Sequence, residues 1–90
     1  MTNVMLVKNT LKDYNIWRPL FEGNKTNQAD FGIHIRSVYQ AKEDPNTVFI
    51  VAEVNDIEQA QALMKQVRES GLQEKAGVIN SEPTMCIDVT

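Results

Sequence analysis

The chain has 90 residues, of which 42% are hydrophobic and 23% are charged. These proportions exclude a disordered chain and indicate one ordinary globular domain over residues 1–90. Nine basic residues against twelve acidic ones give a formal net charge of -3 without a cluster of Lys and Arg, so nucleic acid and anionic membranes are not expected as partners.

Cysteine usage and the first residues indicate the compartment. Cys86 is the only cysteine, so the chain forms no internal disulfide and a cytoplasmic location is expected. The apolar run before Lys8 is too short for a signal peptide or a membrane span. A single histidine without a second histidine or a cysteine at ligand spacing argues against a metal site, and no cofactor is expected.

The first elements are a strand and a helix. The short apolar run "NVMLVKNT", residues 3–10, predicts the first strand. Asp13 has the position of a helix N-cap, with apolar residues following at helical spacing. Pro19 interrupts this pattern because it lacks an amide hydrogen. We therefore predict an irregular turn over residues 13–18, a main helix that opens at Pro19, and an end near residues 29–32.

Two strands joined as a hairpin are predicted next. "FGIHIRSVYQ", residues 31–40, alternates in the manner of a strand. "AKEDPN", residues 41–46, has the composition of a loop. "TVFIVAEV", residues 47–54, is almost continuously apolar, which is typical of a strand covered on both faces.

A second helix and a last strand complete the chain. Asp56 is a predicted N-cap, and an apolar stripe that starts at Ile57 continues towards a stop at Gly71. One further turn is predicted before Gly77, and "PTMCIDV", residues 83–89, predicts a strand that begins at its proline. The order β-α-β-β-α-β predicts an α+β, ferredoxin-like fold, with a four-stranded antiparallel sheet and both helices on one face.

Alternation along the strands divides their residues into two sets. The set assigned to the helices is strongly apolar: Val4, Leu6, Ile33, Ile35, Val48, Ile50, Ala52, Val54, Met85, Ile87 and Val89. The opposite set is mixed: Met5, Val7, Asn9, His34, Arg36, Val38, Phe49, Val51, Glu53, Cys86 and Asp88. Contiguous exposed apolar area usually marks an interface. We therefore expect a homodimer through this sheet face, in which two sheets form a dimeric α/β barrel.

Three segments resemble a known family. "DYNIWRPLFE" (13–22), "KEDPNTVFIVAEVNDIEQAQAL" (42–63) and "KAGVINSEP" (75–83) are similar to the dimeric α/β-barrel superfamily, which includes the antibiotic-biosynthesis monooxygenases, and most of all to its short members without an established reaction. The resemblance implies a homodimer with one pocket per subunit between the sheet and the first helix. Asn9 stands where some monooxygenase and haem-degrading members carry an asparagine that helps to hold substrate or oxygen. The haem-degrading members also use a tryptophan and a histidine from the second half of the chain, which this sequence lacks there.

Polar residues of the mixed set are the candidate catalytic groups. His34 has a side chain that titrates near neutral pH and suits a general acid or base, or else it is a strand residue at the dimer seam. Arg36 would anchor an anionic or phenolate substrate, or pair with Glu53 or Asp88. Glu53 and Asp88 would act as paired carboxylates only if one of them had a raised pKa.

Aromatic residues of the first helix are the candidate binding groups. Tyr14, Trp17 and Phe21 either wall a pocket beside the sheet or form ordinary core. The first functional hypothesis is a cofactor-independent monooxygenase- or cyclase-like enzyme that acts on a small aromatic or polyketide-like molecule. In it Asn9, with His34 and Arg36, is catalytic, whereas the aromatic residues and the two carboxylates bind substrate. The alternative is a non-catalytic ligand-binding or stress-responsive dimer.

Overall fold

The computed structural model describes residues 2–90. Its elements, in chain order, are β1 (Asn3–Leu11), α1 (Tyr14–Gly23), α2 (Lys25–Asp30), β2 (Ile33–Ala41), β3 (Asp44–Val54), α3 (Ile57–Glu69), α4 (Leu72–Lys75) and β4 (Val78–Ile87). The strands form one antiparallel sheet in the order β2-β3-β1-β4. This is the predicted ferredoxin-like α+β fold. Within residues 2–90, none of the helices has the length and apolar character that a membrane span requires.

The first helix begins earlier than predicted. The Asp13 side chain accepts a hydrogen bond of 2.9 Å from the backbone N–H of Asn15, so α1 starts at Tyr14. Pro19 lies inside α1, and the prediction that it opens the helix is wrong. A proline at this position removes one helical hydrogen bond, to the carbonyl of Asn15, and both residues are exposed, so water can bond to that carbonyl. The helical segment ends at Asp30 as predicted, but it consists of two helices, because α1 ends at Gly23 and α2 covers Lys25–Asp30.

The last two strands begin earlier than predicted. The β2–β3 turn contains only Lys42 and Glu43, so the loop predicted over residues 41–46 is mostly strand. Likewise β4 begins at Val78, and Pro83 lies in its middle, rather than at its start. Proline is tolerated there because β4 is an edge strand, where no neighbour on the outer side needs the missing N–H group.

The predicted limits of the second helix are confirmed. The Asp56 side chain accepts a hydrogen bond of 2.9 Å from the backbone N–H of Glu58 and caps α3. After α3, Gly71 has φ of 76°, a left-handed conformation that glycine adopts without strain. The single turn of α4 follows and ends just before Gly77.

The faces of β1 are the reverse of those predicted. Met5, Val7 and Asn9 are buried beneath the helices, opposite the buried residues of β3. Val4 and Leu6 lie on the other face of the sheet, where Leu6 is 43% exposed. The assignment was wrong because β1 carries apolar residues on both faces, so its alternation does not define a phase. Pairing with β3 and β4 defines it instead.

A β-bulge reverses the faces in the second half of β2. The register of β2 against β3 shifts between Ile35 and Ser37, which leaves Arg36 as an extra residue. Val38 therefore packs against the core, and its predicted place on the opposite face is wrong. Tyr39 takes the opposite face and is 57% exposed.

The sheet has one face that no helix covers, which we call the open face. Its residues are Val4, Leu6, Lys8, His34, Arg36, Ser37, Tyr39, Phe49, Val51, Glu53, Glu82, Thr84 and Cys86. Leu6 and Phe49 are 43% and 42% exposed at its centre. The expectation of a mixed, partly apolar sheet surface therefore holds, although β1 contributes different residues to it.

Candidate functional site

A cavity of about 170 Å³ lies between the covered face of the sheet and the helices. Its sheet side is mostly apolar, with Met5, Val7, Ile33, Ile35 and Ile50, and its polar residues are Asn9 and Ser81. Its helix side is formed by Trp17 and Phe21 of α1 and by Leu63, Met64 and Val67 of α3. A pocket between the sheet and the first helix is what the family resemblance implied.

Stacked aromatic rings form the α1 side of the cavity. The Trp17 and Phe21 ring centroids are 4.7 Å apart, with 20° between the ring planes. Tyr14 does not line the cavity. It lies behind Trp17 at 5.9 Å, and its hydroxyl accepts a hydrogen bond of 3.0 Å from Arg18 Nη1. Trp17 and Phe21 are thus pocket walls and core at once, whereas Tyr14 supports them.

Asn9 is the polar group at the inner end of the cavity. It is 7% exposed and is the only buried polar or charged residue among residues 2–90. Its Oδ1 atom is buried and has no hydrogen-bond partner. An unpaired buried acceptor destabilises a protein by about 1 to 3 kcal/mol, so such groups are uncommon and a donor from outside the chain would stabilise the protein. The Oε1 atom of Gln28, which also lines the cavity, is likewise buried without a partner.

The outer end of the cavity carries its only charge. Leu20, 39% exposed, and Arg68, also exposed, are among the lining residues, so the cavity reaches the surface between α1 and α3. Arg68 is the one charged residue of the lining. No histidine or carboxylate of residues 2–90 lines it. Hydrogen bonding and a positive charge are therefore the polar interactions that the cavity offers.

His34, Arg36 and Glu53 lie on the open face, on the other side of the sheet from the cavity. His34 is opposite Glu53 in the β2–β3 register, and its Nε2 atom is 3.3 Å from Asn55 Nδ2. Arg36 Nη1 is 2.8 Å from Glu53 Oε1, so the expected ion pair of Arg36 with a carboxylate is present. Both of its side chains are more than a third exposed in the single chain.

Asp88 follows β4, and its hydrogen bonds are with Thr2 and Thr90. Its backbone N–H donates a hydrogen bond of 2.9 Å to Thr2 O, and its carboxylate accepts hydrogen bonds from the hydroxyl and the backbone N–H of Thr90. These two bonds, the hydroxyl first, lower the pKa of Asp88. A carboxylate that holds a proton near neutral pH needs a raised pKa, so the hydrogen bonding of Asp88 does not favour acid catalysis.

The structure thus separates the predicted site residues. Asn9, Trp17 and Phe21 meet at the cavity, whereas His34, Arg36 and Glu53 are grouped on the open face. Gln28 and Arg68 were not predicted. On α3, Arg68 comes four residues after Met64 and directly after Val67, which both line the cavity. Its position beside the apolar stripe therefore could have indicated that it borders the cavity. Gln28 gave none.

Comparison with known proteins relates the chain to solved structures alone. No family model matches it, and no curated protein is significantly similar in sequence. A mutant of SnoaB, a cofactor-independent oxygenase from Streptomyces nogalater, has 11% identity and a TM-score of 0.75, covering 99% of this chain and 94% of that one. A provisionally named antibiotic biosynthesis monooxygenase from Bordetella bronchiseptica has 7% identity, a TM-score of 0.76 and 100% coverage of both chains. A dimeric ferredoxin-like protein from an uncultured marine organism has 12% identity and a TM-score of 0.62, covering 99% of this chain and 89% of that one.

The chain shares its fold with antibiotic biosynthesis monooxygenases. This agrees with the resemblance seen in the sequence, and it concerns the fold because the identities are between 7% and 12%.

Charged side chains stabilise the C-terminal end of α1, which carries the Phe21 ring of the cavity wall. Glu22 bonds to Arg18 Nε at 2.8 Å and to Lys25 Nζ at 2.9 Å, which ties α1 to α2. The hydrogen bond from Lys25, followed by that from Arg18, lowers the pKa of Glu22. The cations of Arg18 and Lys25 also lie 6.0 Å and 5.8 Å from the centroid of the Phe21 ring. Phe21 is therefore fixed from the solvent side as well as by packing.

Proposed function

We propose that the cavity binds a small aromatic molecule of about one ring and that Asn9 accepts a hydrogen bond from it. The observation that carries this proposal is the buried, unpartnered Oδ1 atom of Asn9, which points to a ligand with a donor group. The size follows from the volume, because an apolar cavity of about 150 Å³ holds benzene and this cavity is about 170 Å³. Stacked Trp17 and Phe21 suit a flat ring.

We further propose that the protein is a cofactor-independent monooxygenase-like enzyme for such a ligand. The neighbour SnoaB is described as a cofactor-independent oxygenase, which supports this class. For a phenol the balanced reaction places one oxygen atom of O₂ on the ring to give a quinone, and the other leaves as water. The substrate supplies all the electrons. Asn9 would orient the hydroxyl group, and the aromatic wall would exclude bulk water.

A non-catalytic ligand-binding protein is the second candidate function. The observation in its favour is that no histidine or carboxylate among residues 2–90 lines the cavity, so the lining holds no evident general base. A phenol would then have to lose its proton to solvent at the mouth. His34 remains a predicted acid or base, but its position on the open face is better suited to a dimer seam.

The homodimer through the open face is part of the proposal. Exposed Leu6, Tyr39 and Phe49 form an apolar centre on this face, which a second copy would cover. The ferredoxin-like neighbour that is described as dimeric supports a dimer. In the dimer the Arg36–Glu53 ion pair would lie near the shared interior. A cytoplasmic location is also proposed, which Cys86, free and half-buried, supports.

Replacing Asn9 by leucine tests the role of its oxygen. Leucine has nearly the same shape and no acceptor, so the affinity for phenol relative to that for toluene should fall roughly five- to tenfold, the effect of one buried hydrogen bond. Trp17 is the only tryptophan and lies in the wall, so its fluorescence reports binding. Asn80 is exposed on β4 and does not line the cavity, so Asn80→Leu is the matched control and should leave the ratio of affinities unchanged. An unaltered ratio in Asn9→Leu would contradict the proposed contact.

Oxygen consumption separates the enzyme from the binding protein. With each one-ring phenol or hydroquinone that binds, the native chain should take up O₂ faster than the uncatalysed reaction, and Asn9→Leu should lose most of this increase. An oxygen electrode measures the rate, and the quinone is measured by its absorbance. Ligands that bind without any increase in uptake would reject the monooxygenase and favour the non-catalytic candidate.

A further inference from the structure

We infer that the cavity selects anionic aromatic ligands, namely one-ring acids that carry a hydroxyl group at the end opposite their carboxylate. In this arrangement the hydroxyl group bonds to Asn9 Oδ1 and the carboxylate binds Arg68 at the mouth. The inference rests on the proposed binding of a small aromatic molecule and specifies its class.

The guanidinium of Arg68 is free to bind a ligand. The residues three and four positions away on either side are Met64, Lys65, Gly71 and Leu72, none of which is a carboxylate. Among residues 2–90 it forms no ion pair. Arg18, by contrast, is paired with Glu22 one turn along α1 at 2.8 Å. An arginine left unpaired beside an apolar cavity offers its planar fork of donors to a carboxylate.

The lining combines a buried acceptor, an apolar surface and one exposed charge. Buried Asn9 provides an acceptor at the inner end, and Arg68 provides the single charge at the outer end. The surface between them comes from aromatic and aliphatic side chains, including Phe21, Met64 and Val67. A ligand that satisfies all three parts has a donor, a ring and an anion, in that order. A cation is disfavoured, since no carboxylate among residues 2–90 lines the cavity to meet it.

Two amide side chains elsewhere in the lining add hydrogen-bond donors that favour an anion. Gln73 of α4 and Asn24, between α1 and α2, are also lining residues. Their NH₂ groups can donate to carboxylate oxygens that Arg68 leaves unpaired. The carboxylate would then bind at the surface, where it keeps part of its hydration, so binding carries only part of the desolvation cost of a buried charge.

Calorimetric titration with 4-hydroxybenzoate and with its neutral amide, 4-hydroxybenzamide, tests the inference at neutral pH. The two probes share the ring and the hydroxyl group and differ in charge. The native chain should bind the acid about tenfold more tightly, in keeping with a charge-assisted pair. Arg68→Gln should remove most of this preference. Lys65→Gln removes the same charge from exposed α3 outside the lining, so it is the matched control and should keep the preference.

The outcomes distinguish this inference from the proposed function. If the amide binds as tightly as the acid to the native chain, anion selection is wrong and aromatic binding stands. If neither probe binds and phenol fails as well, the proposed function itself is wrong. The acid–amide comparison in the native chain tests selectivity even if Arg68→Gln folds poorly. A preference that Arg68→Gln retains in a folded protein would overturn the role of Arg68.

Discussion

A Phe49→Arg variant is expected to be a monomer at concentrations where the native chain is a dimer. Phe49 lies at the centre of the open face beside Leu6, and both are about two-fifths exposed in the single chain. Arginine there would place a second positive charge beside Lys8, the register partner of position 49, in an interface where desolvation is costly and the two-fold axis brings its copy close. We expect the dissociation constant to rise at least a hundredfold, as for a central interface residue. Sedimentation equilibrium measures it.

Ile16→Arg is the matched control for this change. Ile16 is 55% exposed on α1, away from the open face, so an arginine there adds the same charge without entering the proposed interface. The control should remain a dimer. A native chain that sediments as a monomer at micromolar concentration would contradict the barrel, and so would a Phe49→Arg variant that dimerises as tightly as the native chain.

Leu63→Ala should both destabilise the protein and enlarge its cavity. Leu63 is 2% exposed and lines the cavity from α3, so truncation should lower the free energy of unfolding by about 3 kcal/mol. The added space should shift binding from one-ring towards two-ring ligands, with 2-naphthol gaining relative to phenol. Urea denaturation followed by circular dichroism gives the stability, and Trp17 fluorescence gives the affinities.

Leu20→Ala makes the same chemical change at a position that is 39% exposed. Its loss of stability should be about half of that in Leu63→Ala, since about two-fifths of the Leu20 surface already contacts water whereas Leu63 is fully buried. Comparable losses in the two variants would indicate that Leu63 is less well packed than its burial implies. An unchanged preference between 2-naphthol and phenol in Leu63→Ala would show that ligands bind elsewhere.

The order of elements could be predicted from the sequence because each one carries a local signal. Asp13 and Asp56 cap the two long helices as expected, and the glycine after α3 ends it. Pro19 misled the prediction because its ring lies on an exposed side of α1, where water replaces the lost hydrogen bond. Such tolerance depends on solvent exposure, which a local pattern does not reveal.

The faces of the sheet were harder to predict than its strands. In β1 both faces are apolar, so only pairing with the neighbouring strands buries Asn9 instead of Leu6. In β2 one extra residue, Arg36, moves Val38 to the core side. The first error affected the site directly, since it placed Asn9 beside His34 rather than in the cavity. The register of a strand depends on pairing with segments that are distant in the sequence, so the local pattern of one strand does not reveal it.

The unpaired oxygen of Asn9 favours ligand binding but lowers the stability of the protein when no ligand is bound. An apolar residue of similar shape at that position would relieve the free chain of an unsatisfied group, which makes it more resistant to heat. Laboratory evolution that selects for thermal tolerance alone would therefore favour leucine at position 9. The resulting protein would be more stable, and its cavity would lack the buried acceptor. Only selection that includes the small molecule would preserve the asparagine.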